Sequence, residues 1–64
     1  MEFLKRAVDA NPLIAANWFS LGSAQLKTGR LTEALEAAQR AVVLDGDDVR
    51  YQRLLDEIRQ RIRK

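Results

Sequence analysis

The side chains that could take part in catalysis are few, and they lack the partners that would activate them. The chain contains two serines, Ser20 and Ser23, and neither histidine nor cysteine. A serine becomes a nucleophile when a neighbouring general base takes its proton, and histidine most often fills that role. We therefore interpret the protein as a non-enzyme that needs no cofactor.

Three carboxylates, Asp45, Asp47 and Asp48, form the remaining candidate for a chemical site. A calcium loop alternates its oxygen ligands ahead of a glycine and ends on a bidentate glutamate, a pattern that this cluster does not match. Aspartates at the start of a helix instead accept hydrogen bonds from its free N–H groups and complement its dipole. We expect Asp47 or Asp48 to cap a helix and expect no metal site.

Hydrophobic periodicity and turn residues divide the chain into short helices. The predicted helices lie near residues 2–10, 14–27, 31–44 and 48–62. Apolar residues recur in each at helical spacing, while Pro12, Gly29 and Gly46 suit the intervening turns. Loops of about 2–5 residues make successive helices antiparallel neighbours. The sequence thus predicts an all-α fold, an antiparallel helix–turn–helix stack of four helices.

Gly22 stands inside one of these helices, where glycine costs about 0.5–1 kcal/mol relative to alanine. A glycine in such a place indicates that another helix approaches closely. We expect Gly22 to face Ala38 or Ala41 across a helix–helix contact, with Trp18 largely buried beside it. The chain's three glycines are too widely spaced to form a phosphate-binding loop.

The sequence also repeats on itself at an offset of 34 residues, so that RAVDANP at 6–12 overlies RAVVLDG at 40–46. A helix–turn–helix unit of this period is typical of one repeat family. The segment WFSLG at 18–22 resembles the signature of the tetratricopeptide repeat, and KTG at 27–29 resembles its internal turn. Ala34, Ala41 and Asp45 resemble its second helix and exit.

The resemblance implies a single domain over residues 1–64. Its parts are the second helix and exit of a partial repeat (1–14), one full repeat (15–48) and a capping helix (49–64). Gln25 departs from the family pattern, in which tyrosine is usual at that place, and Ala38 replaces a large aromatic residue. Gln52, Asp56 and Arg59 stand where a further repeat would have tryptophan, glycine and tyrosine, which favours a solvated cap.

Members of the family bind partner proteins or peptides on the concave surface made by their first helices, so the resemblance implies a protein–protein interaction module. The implied partner-binding positions are Ala16, Phe19, Ser23, Leu26, Arg50, Arg53 and Glu57. Phe19 has the largest apolar area among them, although a domain this small could equally use it in the core. Phe19 and Glu57 are unsuited to holding a carboxylate, so we expect an apolar or mixed partner segment rather than an acidic tail.

Two other functions are compatible with the sequence. Repeat arrays usually need about three repeats, so Phe3, Leu4 and Val8 would be covered either in a longer array or in a homodimer. Residues 50–64 hold six basic and two acidic side chains and could bind nucleic acid or an anionic membrane surface. Basic residues also complement the C-terminal end of a helix, which makes nucleic acid the weaker alternative.

Neither a membrane span nor a small-molecule substrate is indicated. No apolar run approaches the roughly 18 residues of a membrane-spanning helix, and the first residues lack the order of a signal peptide. The sequence does not itself identify a compartment, and a cytoplasmic location is expected if the chain is complete.

Overall fold

The computed structural model describes residues 6, 9–11 and 13–63 of the chain. The helices assigned there are α1 (Ala15–Lys27), α2 (Leu31–Leu44) and α3 (Val49–Arg63). Each begins and ends within one residue of its predicted bounds, and the described residues contain no strand. The helix predicted near 2–10 falls largely outside the described residues, so three helices are found where four were predicted.

The turn between α1 and α2 is closed by a glycine. Gly29 has a φ of +79°, the left-handed conformation that glycine adopts without a Cβ clash. The N–H of Arg30 donates to the Gln25 carbonyl at 2.9 Å, and the N–H of Gly29 donates to the Leu26 carbonyl at 3.1 Å. These two bonds form a Schellman motif. The Thr28 hydroxyl adds a bond to the Gln25 carbonyl at 3.0 Å, and α2 returns antiparallel to α1.

Small residues allow α1 and α2 to pack closely. The buried face of α2 consists of Ala34, Ala37, Ala38 and Ala41. Gly22 is buried on the facing side of α1, and a Cβ there would lie 3.4 Å from the Ala34 carbonyl oxygen and 3.4 Å from the Ala37 Cβ. The prediction that Gly22 serves close packing is therefore confirmed.

The predicted partners of Gly22 were wrong, because Ala34 and Ala37 occupy the place expected for Ala38 or Ala41. Because the turn is tight, residues at similar distances before and after Gly29 face each other. Gly22 therefore lies opposite Ala34 and Ala37, which are nearer to the turn than Ala38 and Ala41. Trp18 is buried over most of its surface, as predicted, and packs against Leu21 and Ala37 at the edge of this contact.

The third helix completes the core. It buries Tyr51, Leu54, Leu55 and Ile58 on one face, and the last three pack with Leu26, Ala34 and Ala38. Ile58 is 0% exposed, so the core lies where all three helices meet. The opposite face of α3, including Gln52, Asp56 and Arg59, is exposed.

The turn between α2 and α3 is held by side chains as well as by backbone. The Gln52 side-chain amide donates to the Gly46 carbonyl, and the Asp48 carboxylate accepts a bond of 2.9 Å from the N–H of Arg50. Asp48 is thus the N-cap of α3, as the sequence predicted for one of two aspartates. Gly46 has no positive φ, but a Cβ there would lie 3.2 Å from the Val42 carbonyl oxygen.

Candidate functional site

Helices α1 and α3 lie side by side and run in the same direction. Near the start of each, the rings of Phe19 and Tyr51 have centroids 5.2 Å apart. One turn further along each helix, Leu54 lies beside Gly22. A Cβ added at Gly22 would be 3.3 Å from Leu54 Cδ2. The contacts therefore advance along both helices together, and their neighbouring faces line a continuous surface.

The second half of this surface is a groove of about 360 Å³, which we call the α1–α3 groove. It is lined by Ser23, Leu26, Lys27, Leu54, Glu57 and Arg61. Leu26 and Leu54 are 7% and 9% exposed and form an apolar floor. Arg61 meets Glu57 across 3.7 Å on an exposed rim. The groove therefore presents a small apolar strip between charged side chains.

Of the seven partner-binding positions implied by the sequence, three line this groove: Ser23, Leu26 and Glu57. Ala16 and Arg53 are exposed and lie outside the groove lining. Sequence reasoning did not name Lys27, Leu54 or Arg61 as groove residues. Arg61 follows Glu57 by one helical turn, so continuing that stripe along α3 would have found it.

Phe19 and Arg50, also among the implied positions, belong to an intramolecular cluster with Tyr51 and Asp48. The Arg50 guanidinium lies 6.0 Å from the Phe19 ring centroid and 5.6 Å from that of Tyr51. Its Nη2 donates to Asp48 Oδ2 at 2.7 Å and its Nε to Oδ1 at 3.1 Å. Cation–π and bidentate carboxylate contacts are both favourable for arginine. This Phe19 cluster joins the start of α3 to α1.

The same contacts affect the titration of Asp48. Hydrogen bonds from the Arg50 side chain, with a smaller contribution from its backbone N–H, hold the pKa of Asp48 below its ordinary value of 3.8. A lowered pKa in the folded state means that the ionised carboxylate stabilises the fold. That stabilisation is complete above the unfolded pKa and is lost as the pH falls through the folded pKa.

We therefore expect Asp48→Asn to unfold at a lower urea concentration than the wild type at pH 7, because asparagine keeps the cap but loses the charged contact with Arg50. At pH 2 the difference between the two midpoints should be smaller, because part of the Asp48 carboxylate is then protonated in the wild type. Asp47→Asn, which removes an exposed neighbouring charge, should follow the wild type at both pH values. A difference between Asp48→Asn and the wild type that is the same at pH 7 and pH 2 would contradict the assigned role of the carboxylate.

A second depression, the acidic cleft, lies between α1 and α2. It has a volume of about 280 Å³ and is lined by Asp9, Trp18, Leu21, Gln25, Glu33, Glu36 and Ala37. Gln25 is 8% exposed, and its Oε1 is buried without a hydrogen-bond partner. This cleft was not predicted from the sequence. The departure of Gln25 from the usual tyrosine was the signal that could have indicated it.

Neither a metal centre nor a membrane-spanning helix is found among the described residues. Within the described part of the chain, no group of three or more aspartate or glutamate side chains is arranged to hold a metal ion. A search of the same residues finds no helix with the length and apolarity required to cross a membrane.

Comparison with known families agrees with the architecture. The family model described as tetratricopeptide repeat matches residues 3–49, a range that includes α1, α2 and the first residue of α3. Neither the curated proteins nor the solved structures gave a match to the chain. Repeats of this family generally act as non-catalytic scaffolds that contact other proteins.

Proposed function

We propose that this chain, which belongs to the tetratricopeptide repeat family, binds a polypeptide segment of a partner protein in the α1–α3 groove. One observation carries the proposal: two parallel helices contribute residues to one open groove that has an apolar floor and a charged rim. An extended or helical segment can place an apolar side chain over such a floor while its polar groups remain hydrated.

The chemistry of the groove favours a mixed segment. Leu26 and Leu54 offer an apolar contact that is narrow, because little of either side chain is exposed. Lys27 and Arg61 on the rim carry positive charge and Glu57 carries negative charge. A single apolar anchor flanked by polar or charged residues would complement this arrangement better than a wholly apolar helix would.

Phe19 has a different part in this proposal from the one the sequence implied. It is half-buried and already contacts Tyr51 and Arg50, so its main contribution is to fix α3 against α1. The anchor of the partner is accordingly assigned to the half of the surface that contains Leu26 and Leu54. Ala16 and Arg53 are retained as outer positions that a longer segment could reach.

The test uses two matched substitutions on α1. Ser23 lines the groove and Ser20 is exposed outside its lining, so Ser23→Phe fills the groove whereas Ser20→Phe adds the same ring elsewhere. Peptides would first be selected from a random library for binding to the wild-type chain. We expect their affinity to fall at least tenfold for Ser23→Phe and to remain within about twofold for Ser20→Phe, because steric exclusion acts only at the groove.

Isothermal titration calorimetry of the selected peptides gives the comparison, and circular dichroism verifies that both variants stay helical. Peptides that bind Ser23→Phe and the wild type equally would locate binding elsewhere and refute the groove. A loss of affinity in both Ser23→Phe and Ser20→Phe would also refute binding in the groove. The homodimer expected through Phe3, Leu4 and Val8 lies outside the described residues and remains a prediction.

A further inference from the structure

The acidic cleft is separate from the α1–α3 groove and combines features that point to a cationic ligand. One wall is the face of α1 that carries Trp18, Leu21 and Gln25, and the other is the face of α2 that carries Glu33, Glu36 and Ala37. Asp9 closes one side. Three carboxylates thus surround a cleft that contains one almost completely buried amide.

Gln25 is the unusual member of this set. It is the one polar residue among the buried residues that the structure describes, and its Oε1 accepts no hydrogen bond. A buried acceptor without a donor is unfavourable and is rare in folded proteins. The terminal torsion of glutamine is broad, so the amide can turn its oxygen toward a donor that enters the cleft. The missing partner is therefore an N–H or O–H group.

The surrounding charges select a donor that is also a cation. Glu33 meets Arg30 at 3.7 Å with both side chains mostly exposed, a contact that is weak in water, and no described residue forms an ion pair with Glu36 or Asp9. Arg40 lies near the other end of the cleft, 5.9 Å from the Trp18 ring centroid. It follows Glu36 by four positions on α2, about 6 Å along the helix, without forming an ion pair with it, so it reduces but does not cancel the negative charge of the cleft.

The size and form of the cation follow from the helix geometry. Glu33 and Glu36 are one turn apart on α2, about 5–6 Å between their Cβ atoms. A compact group with three N–H donors can lie between two such carboxylates and still donate to an amide oxygen, whereas a planar guanidinium favours bidentate pairing with one carboxylate. A metal ion does not fit, because the carboxylates of the described residues are not grouped closely enough to ligate one.

We propose that the acidic cleft binds a primary alkylammonium group, with Gln25 Oε1 accepting one N–H bond and Glu33 and Glu36 balancing the charge. The alkyl stem lies against Leu21 and Ala37, which supply the apolar part of the wall. The group belongs either to a lysine side chain of a polypeptide or to a free polyamine. The site is independent of the α1–α3 groove and stands whether or not that groove binds a peptide.

The first experiment titrates n-butylammonium chloride into the ¹⁵N-labelled chain at constant ionic strength and follows the Gln25 side-chain amide and the Trp18 indole N–H by NMR. We expect saturable shifts of both signals. In the double variant Glu33→Gln/Glu36→Gln, the dissociation constant should rise about tenfold. The control Asp47→Asn/Asp56→Asn makes the same change in net charge at exposed positions outside the cleft and should leave the constant within twofold.

Tetramethylammonium has the same charge but no N–H donor, so it should bind at least fivefold more weakly than butylammonium. Equal binding of the two cations, equal loss in both double variants, or shifts that never saturate would each overturn the proposal. The source of the ammonium group is decided by comparing acetyl-Ala-Lys-Ala-amide with spermidine. Tighter binding of the peptide supports a polypeptide source, tighter binding of spermidine supports a polyamine, and binding of neither overturns the site.

Discussion

Ile58→Ala is expected to destabilise the fold by about 2–5 kcal/mol, the usual effect of truncating a large buried aliphatic side chain. Ile58 is 0% exposed and packs where α1, α2 and α3 meet. A domain of this size typically has about 3–10 kcal/mol of total stability, so the variant should lose much of its folded population. Urea unfolding followed by circular dichroism measures the change.

Ile62→Ala provides the matched control for this prediction. It removes the same atoms from the same helix one turn later, where the side chain is 44% exposed, and should cost less than about 1 kcal/mol. Equal destabilisation by the two variants would mean that α3 does not pack through the face that contains Ile58.

Gly22→Leu is expected to destabilise the fold by about 1–3 kcal/mol because it overfills a close helix contact. A Cβ at this position already lies 3.3 Å from Leu54 Cδ2 and 3.4 Å from the Ala34 carbonyl oxygen, so the remaining atoms of a leucine have no space. The added bulk would separate α1 from both α2 and α3. Thermal and urea unfolding give the loss in stability.

The control for this prediction is a pair of variants. Gly22→Ala gains about 1 kcal/mol of helix propensity and meets only contacts that are slightly tight, so its stability should stay within about 1 kcal/mol of the wild type. Ser20→Leu adds the same side chain at an exposed position of α1 and should have little effect. If the Gly22→Leu variant were as stable as the Ser20→Leu variant, the close packing at Gly22 would be contradicted.

Local signals predicted the helices well because they act over a few residues. Gly29 has the left-handed conformation that its place after α1 required, and Asp48 caps α3. The 34-residue period with its signature residues indicated the repeat family. Propensity, turn chemistry and pattern agree at these places, which is the condition under which sequence predicts structure best.

Contacts between helices were less predictable, because they depend on register and on the rotamers of long side chains. The sequence placed a small residue opposite Gly22 but chose alanines one turn too far along α2. It left Phe19 open between a partner-binding position and a core position, and it did not predict that Arg50 and Tyr51 lie against it. The acidic cleft combines residues of α1 and α2 with Asp9, and no local pattern connects these three segments.

A polypeptide segment is proposed to bind in the groove between α1 and α3. Intermolecular nuclear Overhauser effects between a library-selected peptide and the methyl-labelled chain test it directly. We predict contacts from an apolar peptide side chain to the methyl groups of Leu26 and Leu54, which line the groove floor. Contacts confined to the exposed methyl groups of Val43 or Ile62, which lie outside the groove lining, would contradict it.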